Sequence, residues 1–182
     1  MTANATVEVK EAAPLGFGRR WPALCNMQDK HVFCTGGTHG DTDLATTERY
    51  DIAKDTWRRD LPLMNLPRRS HSSTAFGTTL YVFCGVQSPA NGRNMGPETF
   101  LNQIEKLTGA DRDSDMNEWV LIPIDEALMS PRMTPAVAVY TLIGQVAILG
   151  GYDYDFSKRS DAYIFEIESD SIIFYQREEQ DS

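Results

Sequence analysis

The chain is poor in the residues that most catalytic and metal centres need. It holds three cysteines and three histidines in 182 residues, and no two cysteines stand at the C-x-x-C spacing of zinc or dithiol redox sites. Cys34 and Cys84 lie inside apolar runs and Cys25 in a strand candidate, so all three read as buried structural thiols. Basic residues are also scarce. Seventeen Lys and Arg face 26 Asp and Glu, a net charge of −9, which sets the chain against a duplex phosphate backbone or an anionic membrane surface. No apolar run approaches the roughly 20 residues of a membrane helix. The opening residues, MTANATVEVKEAAPLG, lack the basic and then apolar regions of a secretory signal. A cytoplasmic location is therefore expected, and the sequon at Asn4 reads as chance. No long amphipathic helical pattern occurs either, and residues 125–129 could form a turn at most.

What the chain does have is a repeat. From Arg20, an apolar run His31 to Thr35 stops on Gly36-Gly37, a polar loop follows, and then come Tyr50-Asp51 and, six residues beyond Asp51, Trp57. Arg69 stands sixteen residues before Gly85, as Arg20 does before Gly36. The run Leu80 to Cys84 leads to Gly85, followed by Glu105-Lys106-Leu107 and Trp119. After Arg132, the run Gln145 to Leu149 ends on Gly150-Gly151, followed by Phe165-Glu166 and Ile172. In the second copy the glycine pair reads Gly85-Val86 and Leu107 takes the tyrosine position, while in the third Ile172 replaces the tryptophan. The copies are 49 and 65 residues apart, glycine to glycine. A period of about 50 residues marks propeller repeats of the kelch class, and over Arg19 to about Gln176 the sequence resembles the kelch-repeat family.

The resemblance implies an all-β fold, a partial kelch-type β-propeller of about three four-stranded antiparallel blades. The expected divisions are 1–18, an N-terminal segment with an outer strand of a preceding blade over Ala5 to Glu11; 19–60, 61–123 and 124–176, the three blades; and 177–182, a polar tail. The strands expected are 21–27, 31–35, 46–52 and 56–59, then 69–76, 80–84, 102–107 and 118–122, then 131–141, 145–149, 161–167 and 172–176. In such a blade the second strand is buried on both faces and reads as an unbroken apolar run. Glycine ends it because the backbone there takes positive φ in a crowded place. Gly36, Gly37, Gly85, Gly150, Gly151, Tyr50, Trp57, Trp119, Arg20, Arg69 and Arg132 are thus expected to be structural members of the repeat.

Chemistry is harder to find. Asp111, Asp113 and Asp115 resemble the start of a calcium loop, but the glycine and glutamate that complete one are missing. No metal or cofactor is expected. Ser70-His71-Ser72 reads as strand, where neighbours point to opposite faces. Some proteins with this fold are sugar-modifying or oxidising enzymes, but three histidines give such a centre little to work with. A non-catalytic protein-interaction module, an adaptor or scaffold, is the expected function, with an enzyme or a structural subunit of a larger assembly as alternatives. The loops that would bind a protein partner carry His39, Arg93, Asn94, Tyr152, Tyr154, Phe156 and Arg159. Propellers close with about 4 to 8 blades, so three would leave apolar ends exposed. A homodimer completing a six-bladed ring is one remedy.

Overall fold

A computed structural model describes residues 10–90, 92, 96–113 and 118–174. Blade 1 consists of β1 (Ala23–Met27) and β2 (His31–Thr35), the short pair β3 (Thr38–His39) and β4 (Thr42–Asp43), then β5 (Thr47–Asp51) and β6 (Thr56–Arg58). Blade 2 has β7 (Ser72–Phe76), β8 (Thr79–Phe83), the short β9 (Val86–Gln87) and β10 (Thr99–Phe100), β11 (Ile104–Leu107) and β12 (Trp119–Ile122). Blade 3 has β13 (Ala136–Tyr140), β14 (Gln145–Leu149), β15 (Ala162–Glu166) and β16 (Ser171–Phe174). The three main sheets are four-stranded, antiparallel meanders in the orders β1-β2-β5-β6, β7-β8-β11-β12 and β13-β14-β15-β16. The inner strands β1, β7 and β13 lie side by side, and two short ribbons add to the main sheets. The fold is all-β, a partial propeller, and no helix occurs among the described residues. Residues 126–128 form a turn. Of the strand expected at Ala5 to Glu11, residues 5–9 lie outside the described residues, and Lys10 and Glu11 are not in a strand.

Alternation along the second strands builds the two cores. Leu80 and Val82 of β8 pack with Met27 and Phe33 of blade 1, while Tyr81 and Phe83 pack with Val146, Ile148 and Phe165 of blade 3. One strand thus serves both neighbours, and for that reason its sequence shows no polar alternation. Tyr50, Leu107 and Phe165 sit directly opposite Trp57, Trp119 and Ile172 on the fourth strands, so the aromatic-acidic and tryptophan signals are cross-strand neighbours in every blade.

The glycine signal holds with a shift of one residue in blade 2. The amides of Gly36, Cys84 and Gly150 each bond a carbonyl just before the third strand: those of Thr46, Gln103 and Asp161. Their φ values are 54°, 60° and 59°, and those of Gly37, Gly85 and Gly151 are 91°, 104° and 101°. The second copy of the pair is therefore Cys84-Gly85, not Gly85-Val86. A Cβ at Gly85 would lie 2.8 Å from the Arg69 carbonyl oxygen, and one at Gly151 2.6 Å from that of Met133. Only the second glycine is sterically indispensable in all three blades, and the first tolerates Cys84.

The arginine signal shifts as well. Arg20, Arg69 and Met133 form the same backbone bridge, to Thr38, Val86 and Tyr152. Arg132 is instead the counterpart of Arg19 and Arg68, whose side chains, like its own, are fully buried. Arg68 donates to the carbonyls of Cys84 (2.7 Å) and Gln103 (3.0 Å) and to Glu105 (2.6 Å). Arg19 donates to Gly36 O, Thr46 Oγ1 and Glu48. Arg132 reaches Gly150 O, and Tyr163 occupies the glutamate position, so Asp161 supplies the charge, with the Tyr163 hydroxyl donating to it at 2.6 Å. The glutamates also hold the preceding linkers. Asn65 and Leu66 amides donate to Glu105, and the Gly16 amide to Glu48. Trp57 and Trp119 cap the same linkers, donating to Ala13 O and Pro62 O.

Candidate functional site

The loops that follow the second strands gather on one face with the segments that lead into the inner strands. Backbone hydrogen bonds stitch this face across blades: the Ser70 amide donates to Trp21 O at 3.0 Å, and the Thr134 amide to Ser70 O at 2.6 Å. Trp21, Ser70 and Thr134 have φ of 53°, 49° and 52°, a left-handed kink that turns each entering chain down into its blade. Ser70 and His71 therefore precede β7 and do not lie on it. His71 is wedged between blades with Nε2 2.8 Å from Thr35 Oγ1. Burial, helped by the Arg68 charge, pushes its pKa from 6.5 down to about 3, so the ring is neutral and cannot serve as a base near pH 7 by titrating there.

An open cavity of about 330 Å³ lies where the three kinked segments meet, lined by Trp21, Arg69, Val86, Glu98, Met133, Tyr152 and Phe156 among others. Its walls are mostly apolar, and three of them are aromatic side chains left partly in water: Trp21 is 48% exposed, Tyr152 37% and Phe156 62%. Phe156 is braced edge-on by Phe100, with centroids 6.1 Å apart. Arg69, on the floor, is neutralised by Asp43 at 2.6 Å and by Glu98, and it also donates to Ser88 Oγ. The floor is rigid and the rim is greasy.

Beside it, a polar cavity of about 390 Å³ lies between the loops of blades 1 and 2, lined by Asp41, Thr42, Asp43, Pro67 and residues 87–90 and 92. Asp43 Oδ2 accepts from Arg69 and from the Ser88 amide. Its Oδ1 is buried and has no hydrogen-bond partner among the described residues. Buried acceptors in this state favour an incoming donor.

Of the binding residues expected from sequence, Tyr152 and Phe156 meet at the aromatic cavity. Tyr154 is 79% exposed and stands apart from it. His39 is exposed, with Nδ1 2.7 Å from Gly18 O and its ring edge-on to Phe17. Arg159 pairs with Asp153 and Asp161 and donates to Ser130, which makes it part of the blade 3 charge network. Arg93 and Asn94 lie outside the described residues. Trp21 and Asp43 were not singled out by sequence, because Trp21 reads as the start of a strand and Asp43 as one of many acids in a polar loop.

Burial pushes the thiols of Cys25 and Cys84 up to about 12 and that of Cys34 to about 11. Asp113 accepts from Arg49 and Arg58, and Asp115 lies outside the described residues. No group of three potential metal ligands occurs among the described residues. No helix among them is long and apolar enough to cross a membrane.

Residues 23–59, which run through blade 1 from β1 to just past β6, match the kelch motif. Blade 1 thus carries a kelch motif. The second and third blades differ from blade 1 at the positions described above: Cys84 for the first glycine, Leu107 and Phe165 for the tyrosine, Ile172 for the tryptophan. The four-stranded frame is kept in both, and Leu107 and Phe165 face Trp119 and Ile172 as Tyr50 faces Trp57. No curated protein matches the chain.

Proposed function

We propose that this chain is a non-catalytic interaction module that binds a protein partner through the kinked-loop face, with an apolar side chain of the partner entering the Trp21–Tyr152–Phe156 cavity and a donor reaching Asp43. The observation that carries this reading is the exposure of three aromatic rings around a cavity whose floor is fixed by ion pairs. Rigid aromatic anchors in desolvated pockets supply most of the energy in protein interfaces, and loops on a rigid scaffold commonly carry recognition. The histidines support a role without catalysis: His31 is on β2, His39 on β3, and His71 is neutral between blades, so they do not converge. A cytoplasmic location is part of the proposal, supported by three free cysteines, which suit a reducing compartment.

The test is affinity capture from a cell lysate with quantitative mass spectrometry, comparing wild type with Trp21→Ala and Phe156→Ala. Both residues are exposed, so folding should be kept, and each substitution should weaken a captured partner by about 1 kcal/mol or more. If every captured protein binds the variants and the wild type equally, the face is not the binding surface.

A further inference from the structure

Among the described residues, several positions that are buried between blades elsewhere are more exposed at the two ends of the arc. On the side of blade 1 that faces away from blade 2, Val32, Tyr50 and Trp57 are half-buried, whereas their counterparts Leu80, Leu107 and Trp119 are buried against blade 1. Leu24, beside Cys34 on this side, is 61% exposed. On the far side of blade 3, Leu149 is 45% exposed and Tyr140 55%, while Phe83, the counterpart of Leu149, is fully buried in blade 2. Ala136, Ala138 and Ile173 extend the same exposed apolar side. We propose that two copies of this chain close a six-bladed ring, with blade 3 of each docking head to tail on blade 1 of the other.

Two details identify a second copy as the occupant. The first is a latch. A cation on the third strand of blades 1 and 2 reaches the turn before the fourth strand of the next: Arg49 bonds Ala110 O, Arg112 O and Asp113, and Lys106 bonds Asp170. The counterpart of Arg49 and Lys106 in blade 3 is Ile164. The counterpart of Asp170 in blade 1 is Asp55. Each immediately precedes the fourth strand, with φ of 49° and 52°. Asp55 already accepts the Ala13 amide and the Tyr50 hydroxyl. Blade 3 has lost the cation, and blade 1 has satisfied its acid from its own chain. The two ends match each other, and a blade of the internal kind, bearing Arg or Lys, would bury that charge against an acid already engaged.

The second detail is a backbone series. The Gly37 amide donates to Arg68 O and the Gly85 amide to Arg132 O, both at 2.9 Å across a blade boundary. Gly151 is the third member, and no such carbonyl reaches it among the described residues. In the ring it would donate to Arg19 O of the second copy. Two arcs of three blades make six, within the range of about 4 to 8 that closes, and the two-fold axis along the ring is the commonest oligomer symmetry.

The experiment is sedimentation velocity and native mass spectrometry on the full chain across micromolar concentrations. The expected species has twice the 20.4 kDa chain mass. Leu24→Asp and Leu149→Asp, at opposite ends, should each raise the dissociation constant at least about tenfold, equivalent to about 1.4 kcal/mol. A monomer at every concentration overturns the proposal. So does a dimer sensitive only to Leu149→Asp, which would mean blade 3 packs on its own copy, or an assembly of another size. Hydroxyl-radical footprinting of the wild type needs no variant: Tyr140 and Trp57 should both lose reactivity as concentration rises, and unchanged reactivity of either refutes head-to-tail docking. Neither readout depends on whether the loop face binds a partner.

Discussion

Replacing Arg68 with alanine removes a fully buried guanidinium that joins three parts of the molecule: the second strand through Cys84 O, the entry to the third through Gln103 O, and Glu105. Burial opposes its charge, and the Glu105 carboxylate is what makes that charge tolerable. Breaking a buried pair by deleting one member costs about 3–5 kcal/mol, a large part of the roughly 5–15 kcal/mol that keeps a domain folded. Glu105 would keep the Asn65 and Leu66 amides and the Asn65 side-chain amide as donors, which places the expected loss at the lower end, about 3 kcal/mol. Urea unfolding followed by tryptophan fluorescence and far-ultraviolet circular dichroism measures it. Arg20→Ala is the internal control, since the Arg20 side chain donates to the exposed Gly40 carbonyl and stacks on Trp21; it should cost about 0.5 kcal/mol or less. Removing both charges with Arg68→Met and Glu105→Leu should not restore stability, because the linker amides then lose their acceptor. A loss below about 1 kcal/mol for Arg68→Ala, or full recovery in the double variant, would refute the view that this pair clamps linker to sheet.

Two further predictions concern pH. Burial pushes the Asp161 carboxyl upward, but hydrogen bonds from Arg132, Tyr163 and Arg159 outweigh it and hold the group well below its ordinary 3.8. A depressed carboxylate stabilises the fold above its unfolded value and loses that contribution as pH falls through the folded one. Asp161→Asn should therefore be less stable than wild type at pH 7, with the gap closing as the solution is acidified below about 4 in denaturant melts; a constant gap contradicts the assignment. His71 is depressed from 6.5 to about 3 by burial and by Arg68, so its neutral form belongs to the folded state. Its contribution is complete above pH 6.5 and declines by about 1.4 kcal/mol per unit as pH falls from there toward 3. In nuclear magnetic resonance titrations the His71 ring should stay neutral at pH 5, and a midpoint near 6.5 would show that it is not buried between blades.

Much of the fold was legible because its signals are local and periodic. The unbroken runs at His31 to Thr35 and Gln145 to Leu149 coincide with β2 and β14. The cross-strand pairs Tyr50–Trp57 and Leu107–Trp119 were legible from spacing to glycine. What was misaligned by one residue, the glycine pair at Cys84-Gly85 and the arginine at 19 and 68, depends on which backbone atoms meet in space. The doublets Arg19-Arg20 and Arg68-Arg69 offer two candidates each, and only burial separates the member inside the blade from the one on the loop face. The aromatic cavity was half legible. Tyr152 and Phe156 were visible as aromatics in a loop, but Trp21 joins them from 131 residues earlier, a proximity that only the packing of blade on blade creates.

The grip of Glu105 on Asn65 and Leu66 fixes where the chain can be cut. A deletion starting at residue 61 removes a carboxylate together with the peptide it holds, and leaves the remaining blades with no orphaned acid. A deletion starting at residue 70, just ahead of β7, takes the acid but strands Asn65 and Leu66, whose amides then lose their acceptor. Grafts and truncations of this protein should therefore treat the leader and the sheet that follows it as one heritable piece.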